Sequence, residues 1–437
     1  MAERKLFGTD GVRGAVGDRL TEELAMRLGA AAARSADAER PQVLIVRDTR
    51  ESGPMLSAAL AAGIAAAGGD ASDAGVLPTP AASVIARRLD FDLAAVVSAS
   101  HNPWTDNGIK FFSGSGTKLD DAAEAAIEAE LDREGVGSGE VGRVRTHEGG
   151  ADDYIRELRG RFPLDLSGRR VVLDCANGAT HRVGPAVFEL LGAEVETIGT
   201  EPDGRNINAG CGATAPERLA EAVAGSDAEI GFAFDGDGDR LIAVDENGRI
   251  HDGDELIALA ARHLRDSGEL AGGVAVTVMT NYGFHKQLEA DGIEVAETKV
   301  GDRYVIEALL ERDWNLGGEQ SGHIIWTDFA PTGDGIAAAL LTLRALDGRP
   351  LAEVEPFTRL PQRLENVNVA DRGAIEDARV LWDAVDEENS KLEGRGRVLV
   401  RPSGTEPLLR VMVEAPDEGE CEAVLGRLVE IARRELA

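Results

Sequence analysis

Cysteine is scarce in this sequence: the chain holds Cys175, Cys211 and Cys421, far apart and without a CxxC pair. That excludes a zinc ribbon or a disulfide framework. Long apolar runs are missing as well. No uninterrupted stretch approaches the roughly 18–20 residues of a membrane span, and Val274 to Thr280 has only the length of a strand. The opening MAERKLFGTDGVRG has no apolar run after its charges, so a signal peptide is not expected and a cytoplasmic location is. Excess basic charge is also absent. The net charge of −32 argues against nucleic acid and anionic membrane as partners, because both need a basic surface. Only six of the 46 basic residues are Lys: Lys5, Lys110, Lys118, Lys286, Lys299 and Lys391. A rare residue kept in a loop hints at function. Lys110 and Lys299, in the glycine-bearing DNGIKFF and TKVGDR, are read as such loops.

What is present alternates. QVLIVRD (42–48), DLAAVVSAS (92–100), RRVVLDCANG (169–178), EIGFAFD (229–235) and GVAVTVMT (273–280) read as strands. Ala/Leu-rich helical patterns lie between them, including PMLSAALAAGIAAAG, VGPAVFELLG and a helix from about Tyr282. Alternation at this spacing means βαβ units and α/β architecture. Charged, glycine-rich breaks cut the 437 residues into segments 1–150, 151–252, 253–364 and 365–437. The last reads strand–helix–strand–strand–helix, a smaller α+β domain. The expected fold is a four-domain α/β chain, with three mixed βαβ-type sheets and the small C-terminal domain around a central cleft.

Four loops carry chemistry. In DGDGDR, Asp235, Asp237 and Asp239 fall within five residues, followed by Arg240. Carboxylates this close repel one another, and a bound hard cation such as Mg²⁺ or Ca²⁺ offsets the repulsion. An EF-hand needs Gly where Arg240 stands and helices where the flanks are strand-like. A solvated acidic turn leaves unexplained why the cluster follows an apolar strand. The second loop, SASHNP (98–103), presents Ser100 as a candidate nucleophile, with Lys110 further on; the GxSxG of a hydrolase elbow is absent. In GGEQSGH, Glu319 and Ser321 can take neighbouring sugar hydroxyls. In RPSGTEP, Arg401, Ser403, Gly404 and Thr405, with Arg410 beyond, make an anion cradle. One loop per segment points to a shared cleft in which the metal neutralises a phosphate on Ser100.

These loops, in this order, resemble the α-D-phosphohexomutase family: SASHNP its phosphoserine loop, DGDGDR its magnesium loop, GEQSGH its sugar-selecting loop and RPSGTEP its phosphate-binding loop. The resemblance runs from FGTDGVRG (7–14) to LLRVMVEA (408–415). FGTDGVRG, NINAGCGAT (206–214), TKVGDRYV (298–305) and Gln320 favour the branch acting on glucosamine phosphates. Phosphomannomutase/phosphoglucomutase relatives, the alternative, usually carry Met in place of Gln320. Trp104 stands where Phe or Tyr is expected.

The resemblance implies interconversion of glucosamine 6-phosphate and glucosamine 1-phosphate through a phosphoserine and a 1,6-bisphosphate, on the route to UDP-N-acetylglucosamine. It implies one Mg²⁺ on Asp235, Asp237, Asp239 and the Ser100 phosphate, with a hexosamine or hexose 1,6-bisphosphate as activator. Arg13, Arg240 and Lys110 would offset charge. Lys110 and His323 are acid/base candidates, His101 supports the serine loop, and Lys299 joins the substrate contacts. A monomer or homodimer with no nucleic-acid or membrane partner is expected. A metal-dependent sugar phosphatase is the rival from another class, and a catalytically silent phosphosugar binder a third.

Overall fold

The runs that alternate along the sequence become strands because they are short, apolar and flanked by turn residues. Leu93–Val97, Ile230–Phe234 and Val274–Thr277 are buried along their whole length. Strands covered by helices on both faces need continuous apolar sequence. The computed structural model describes residues 6–8, 10–131, 133, 140–370, 373–402 and 408–436.

Four sheets result. The first runs Val12–Ala15, Asp106–Ser113, Leu93–Val97, Gln42–Arg47, Asp70–Val76, Val144–Thr146. Its Gln42–Arg47 strand pairs parallel with both neighbours, whereas Asp106–Ser113 pairs antiparallel on both sides. The second runs Ile250–His251, Leu241–Asp245, Ile230–Phe234, Arg170–Asp174, Glu194–Ile198. The third runs Val295–Thr298, Val274–Thr277, Leu316–Gly318, Ile324–Trp326. The fourth, Gln362–Asn368, Leu408–Glu414, Arg397–Pro402, is antiparallel throughout. Lys110 lies within a strand rather than in the loop expected for it, because IKFF continues the pairing opposite Val96.

Helices start and stop where the sequence supplies caps. Asp252 caps Gly253–Ser267 by accepting the Glu255 amide, and Gly268 ends it in the left-handed region. Asp334 caps Gly335–Leu346 through the Ala337 amide. The first core is set by Leu28, Leu56, Leu60 and Ile64, all fully buried. Each such side chain contributes about 1.5–3 kcal/mol.

The chain divides into two compact units, Met1–Val278 with Ala296–Val354, and Met279–Val295 with Glu355–Ala437. Helix Tyr282–Ala290, in the third segment by sequence, lies within the second of these compact units. Its Tyr282 amide donates to the Glu414 carboxylate, and Phe284 meets Phe357 edge-on at 5.9 Å. Among the described residues no helix is long and apolar enough to cross a membrane.

Candidate active site

The aspartate loop joins Ile230–Phe234 to the antiparallel Leu241–Asp245, with Phe234 opposite Leu241. Strand flanks, not helices, rule out the EF-hand arrangement. Glycine permits the crowding. Gly238 has φ +74, and a Cβ on Gly236 would lie 2.6 Å from the Ser100 carbonyl oxygen. The aspartate and serine loops therefore touch through backbone, and no larger residue fits between them.

Asp235, Asp237 and Asp239 are buried, and one ligand oxygen from each lies within 4.8 Å of the others. Asp237 Oδ1 and Asp239 Oδ1 are buried without a hydrogen-bond partner. Burial, then the charges of Asp239 and Asp237, raise the Asp235 carboxyl well above the usual range. Three crowded oxygens, two of them orphaned, fit a hard divalent cation.

Ser100 is buried beside this cluster. Its Oγ donates to Asp235 Oδ2 at 2.6 Å and lies 3.3 Å from His101 Nδ1. Burial and then Arg240 and Arg13 lower the His101 pKa, which favours the neutral ring. Lys110 Nζ lies 2.9 Å from Asp237 Oδ2, 3.7 Å from Asp239 and 4.0 Å from Asp10. Burial alone lowers an ammonium pKa, yet Asp10, Asp237 and Asp239 outweigh it and raise that of Lys110. The same partnership holds Asp237 low: burial opposes it, but the Lys110 charge and the Thr79 hydroxyl, 2.6 Å from Oδ2, win. Arg13 pairs with Asp10, and Arg240 Nε lies 3.9 Å from Asp239.

His323 is buried with Nδ1 3.6 Å from Asp239 Oδ1. Its Nε2 accepts the Gly333 amide at 3.2 Å, which places a proton on Nδ1. Burial lowers its pKa, but Asp239, Asp302 and Glu319 carry it up to about 9. A second proton needs Nε2 to release the Gly333 amide. Glu319 accepts the Gly301 amide at 3.0 Å, linking the sugar-loop candidate to the Lys299 loop. Gln320 turns away to donate to Asp252 Oδ2 at 3.2 Å, so it fixes its own turn. Ser321 is exposed in that turn, and Lys299 is exposed with Nζ 5.8 Å from the Tyr304 ring centre. Trp104 is partly exposed, with the Arg205 guanidinium 5.0 Å from its ring centre.

In the second unit, Arg401 and Arg410 face each other across adjacent strands. Burial and then the charge of Arg410 lower the Arg401 pKa. Among the described residues neither makes an ion pair. Ser403, Gly404 and Thr405 lie outside the described residues.

Domains I, II, III and the C-terminal domain of the phosphoglucomutase/phosphomannomutase family match residues 4–136, 152–248, 252–358 and 364–431. The phosphoglucosamine mutase of Pelotomaculum thermopropionicum is 50% identical over 439 residues, covering 98% of this chain and 99% of its own. That of Bacillus subtilis is 45% identical over 444 residues, covering 99% of each. The chain belongs to the phosphoglucosamine mutases of the phosphohexomutase family. It is an isomerase by membership of that mutase family. Among solved structures, a phosphoglucomutase/phosphomannomutase family protein from Burkholderia thailandensis superposes with TM-score 0.83 at 25% identity, covering 98% of this chain and 97% of its own. The N-acetylphosphoglucosamine mutase of Aspergillus fumigatus, solved with GlcNAc-6P and magnesium, shares the fold at TM-score 0.65 and 19% identity, covering 100% and 96%.

Several residues around this candidate site are not singled out by motif. Thr79 reaches Asp237 from the start of a helix. Lys118 bridges Asp10 and Asp302, 2.8 Å from the latter. Asp48, Arg50 and Asn208 surround the serine loop. Only the rarity of Lys could have marked Lys118, and NINAGCGAT marks the stretch holding Asn208; Thr79, Asp48 and Arg50 are found through contacts distant in sequence.

Proposed function

We propose that the chain interconverts glucosamine 6-phosphate and glucosamine 1-phosphate by way of a phosphate carried on Ser100. The observation that carries this reading is the 2.6 Å contact of Ser100 Oγ with Asp235 inside a buried, orphan-bearing aspartate cluster. Asp235, Asp237 and Asp239, with the Ser100 phosphate, would hold a Mg²⁺, which would supply charge neutralisation for the transferring group.

The free sugar hydroxyl attacks the phosphorus. The bond from phosphorus to Ser100 Oγ breaks, a bond to the sugar oxygen forms, and the hydroxyl proton leaves to a base. The resulting 1,6-bisphosphate turns over and returns its other phosphate to Ser100. Arg13, Arg240 and Lys110 offset charge on the phosphoryl oxygens. Lys110 is a candidate base, but Asp10, Asp237 and Asp239 hold it protonated, so that role would need those carboxylates to be engaged elsewhere. His323 holds a proton at Nδ1 for return, and neutral His101 supports the serine. Glu319 and Ser321 take the 3- and 4-hydroxyls, with Lys299 beside them. Arg401, Ser403, Gly404, Thr405 and Arg410 take the non-reacting phosphate. One loop belongs to each of the segments 1–150, 151–252, 253–364 and 365–437. A hexosamine or hexose 1,6-bisphosphate recharges enzyme that has lost its phosphate.

A coupled assay with Mg²⁺ and a trace of hexose 1,6-bisphosphate tests this by comparing glucosamine, glucose and mannose phosphates while tracking free phosphate. Preference for glucosamine phosphate with little release is expected. Preference for glucose or mannose removes the substrate assignment, and phosphate in place of isomer removes the mutase reading.

A further inference from the structure

Ser100 sits at φ +49, in the left-handed region that a non-glycine residue keeps only when its surroundings hold it there. Two side chains take hold of its carbonyl. Arg50 Nη2 donates to Ser100 O at 2.8 Å, and Asn208 Nδ2 donates to the same oxygen at 2.9 Å. Arg50 goes further. Its Nη2 also donates to Asn102 O at 2.8 Å, and its Nη1 to Asp106 O at 3.0 Å and to Pro103 O. One guanidinium thus gathers four carbonyls of the serine loop, although the side chain is fully buried.

Its charge is answered by Asp48, whose Oδ2 accepts Arg50 Nε at 2.8 Å. The same Oδ2 accepts the Ser98 hydroxyl at 2.6 Å, and Ser98 Oγ accepts the Ser100 amide at 2.9 Å. Both the N–H and the C=O of Ser100 are therefore tied, directly or through Ser98, to one buried ion pair. A guanidinium does this where an ammonium cannot, because its planar fork presents five donors in fixed directions. Asn208 comes from the NINAGCGAT stretch of the second sheet's segment and is itself left-handed at φ +58.

We infer that Arg50 and Asn208 are positioning residues for phosphoryl transfer: they lock the strained Ser100 backbone so that Oγ faces the aspartate cluster. Holding the chain between Ser100 and Asp106 does not in itself call for four of its carbonyls to converge on one buried cation. The inference rests on Ser100 being the phosphate carrier. Without the clamp, the serine relaxes to ordinary backbone angles and its phosphate swings off line.

The test uses the full-length phosphorylated enzyme with Mg²⁺ and glucosamine 6-phosphate. Arg50→Lys keeps the charge opposite Asp48 but loses the fork. It is expected to lower kcat about 100-fold, with KM moving less than about threefold, the cost of misplacing a reacting atom by about 1 Å. Asn208→Ala removes one donor without burying a charge and is expected to cost roughly 10-fold in kcat. In both, inorganic phosphate released per isomer formed is expected to rise, because water competes better for a misaligned phosphoserine. A purely structural role would reduce the folded fraction but leave that partition unchanged. Folded Asn208→Ala enzyme with wild-type kcat and partition overturns the inference, as does Arg50→Lys with a raised KM alone. Ser100→Ala, run alongside, separates the two levels. If it still isomerises, the phosphoserine reading falls and the inference with it; if it is inactive while Asn208→Ala behaves as wild type, only the clamp falls.

Discussion

Like charges crowd together in two places, with opposite signs. In the first unit three carboxylates share one loop. In the second, Arg401 and Arg410 stand opposite each other across a strand pair. Like charges directly opposite in a sheet destabilise it. The carboxylates are partly answered from within, by Lys110 on Asp237 and the Ser100 hydroxyl on Asp235. Even so, two buried oxygens remain orphaned. Among the described residues the arginines are not answered at all. The proposed function gives each cluster a ligand of the opposite sign, a cation for the carboxylates and a phosphate for the arginines. A third case marks the contrast. Asp334 is a buried carboxyl outside the aspartate loop; burial, helped by the charge of Asp239, pushes its pKa up to about 6, while the Ala337 amide and the Tyr154 hydroxyl hold it down. Hydrogen bonds from Tyr154 and Ala337, not a ligand, answer that burial.

The largest expected effect comes from removing the group on which the charges converge. Ser100→Ala should lower mutase turnover by about 10⁴-fold or more with the melting midpoint nearly unchanged; near-normal turnover in a coupled assay would falsify the phosphate-carrier role. Next, Asp237→Asn should weaken Mg²⁺ binding roughly 10- to 100-fold, read by calorimetric titration. Undiminished affinity would break the comparison, since the carboxylates would then be crowded for some other reason. Third, Arg410→Gln should raise KM for the phosphosugar roughly 10-fold, a change of about 1.4 kcal/mol, with little loss of ligand-free stability. A large fall in melting midpoint instead would make the arginine pair structural.

The smallest effect concerns the control. The folded pKa of Asp334, about 6, exceeds the ordinary 3.8, so the folded state keeps a proton that the unfolded chain loses. This contribution to stability is complete below pH 3.8 and is lost as pH rises through about 6. Asp334→Asn should flatten the melting midpoint between those limits; an unchanged slope would remove Asp334 as its source.

The sequence made the chemistry legible where residues that act together are adjacent in the chain. Asp235, Asp237 and Asp239 announce themselves through glycine spacing, and the strands through apolar runs. It concealed what depends on distant contacts. Lys110 reads as a loop residue because Asn107 and Gly108 precede it, yet pairing opposite Val96 makes it strand. Tyr282–Ala290 reads as the third segment's helix, and the domain III match at 252–358 agrees. In space it falls in the second compact unit, where its Tyr282 amide meets Glu414, a contact no local pattern announces. Arg50 lies 50 residues from the carbonyl it grips, and no local pattern links them. Gln320 shows the limit of motif reading differently: it distinguishes the loop in sequence, yet its amide is spent on Asp252.

The most direct test of the account starts with enzyme carrying ³²P-phosphate on Ser100. Mixed with Mg²⁺ and unlabelled glucosamine 6-phosphate, it should pass the label to glucosamine phosphates in the first turnovers. Label that stays on the protein while isomer forms, or that leaves as inorganic phosphate, would contradict it.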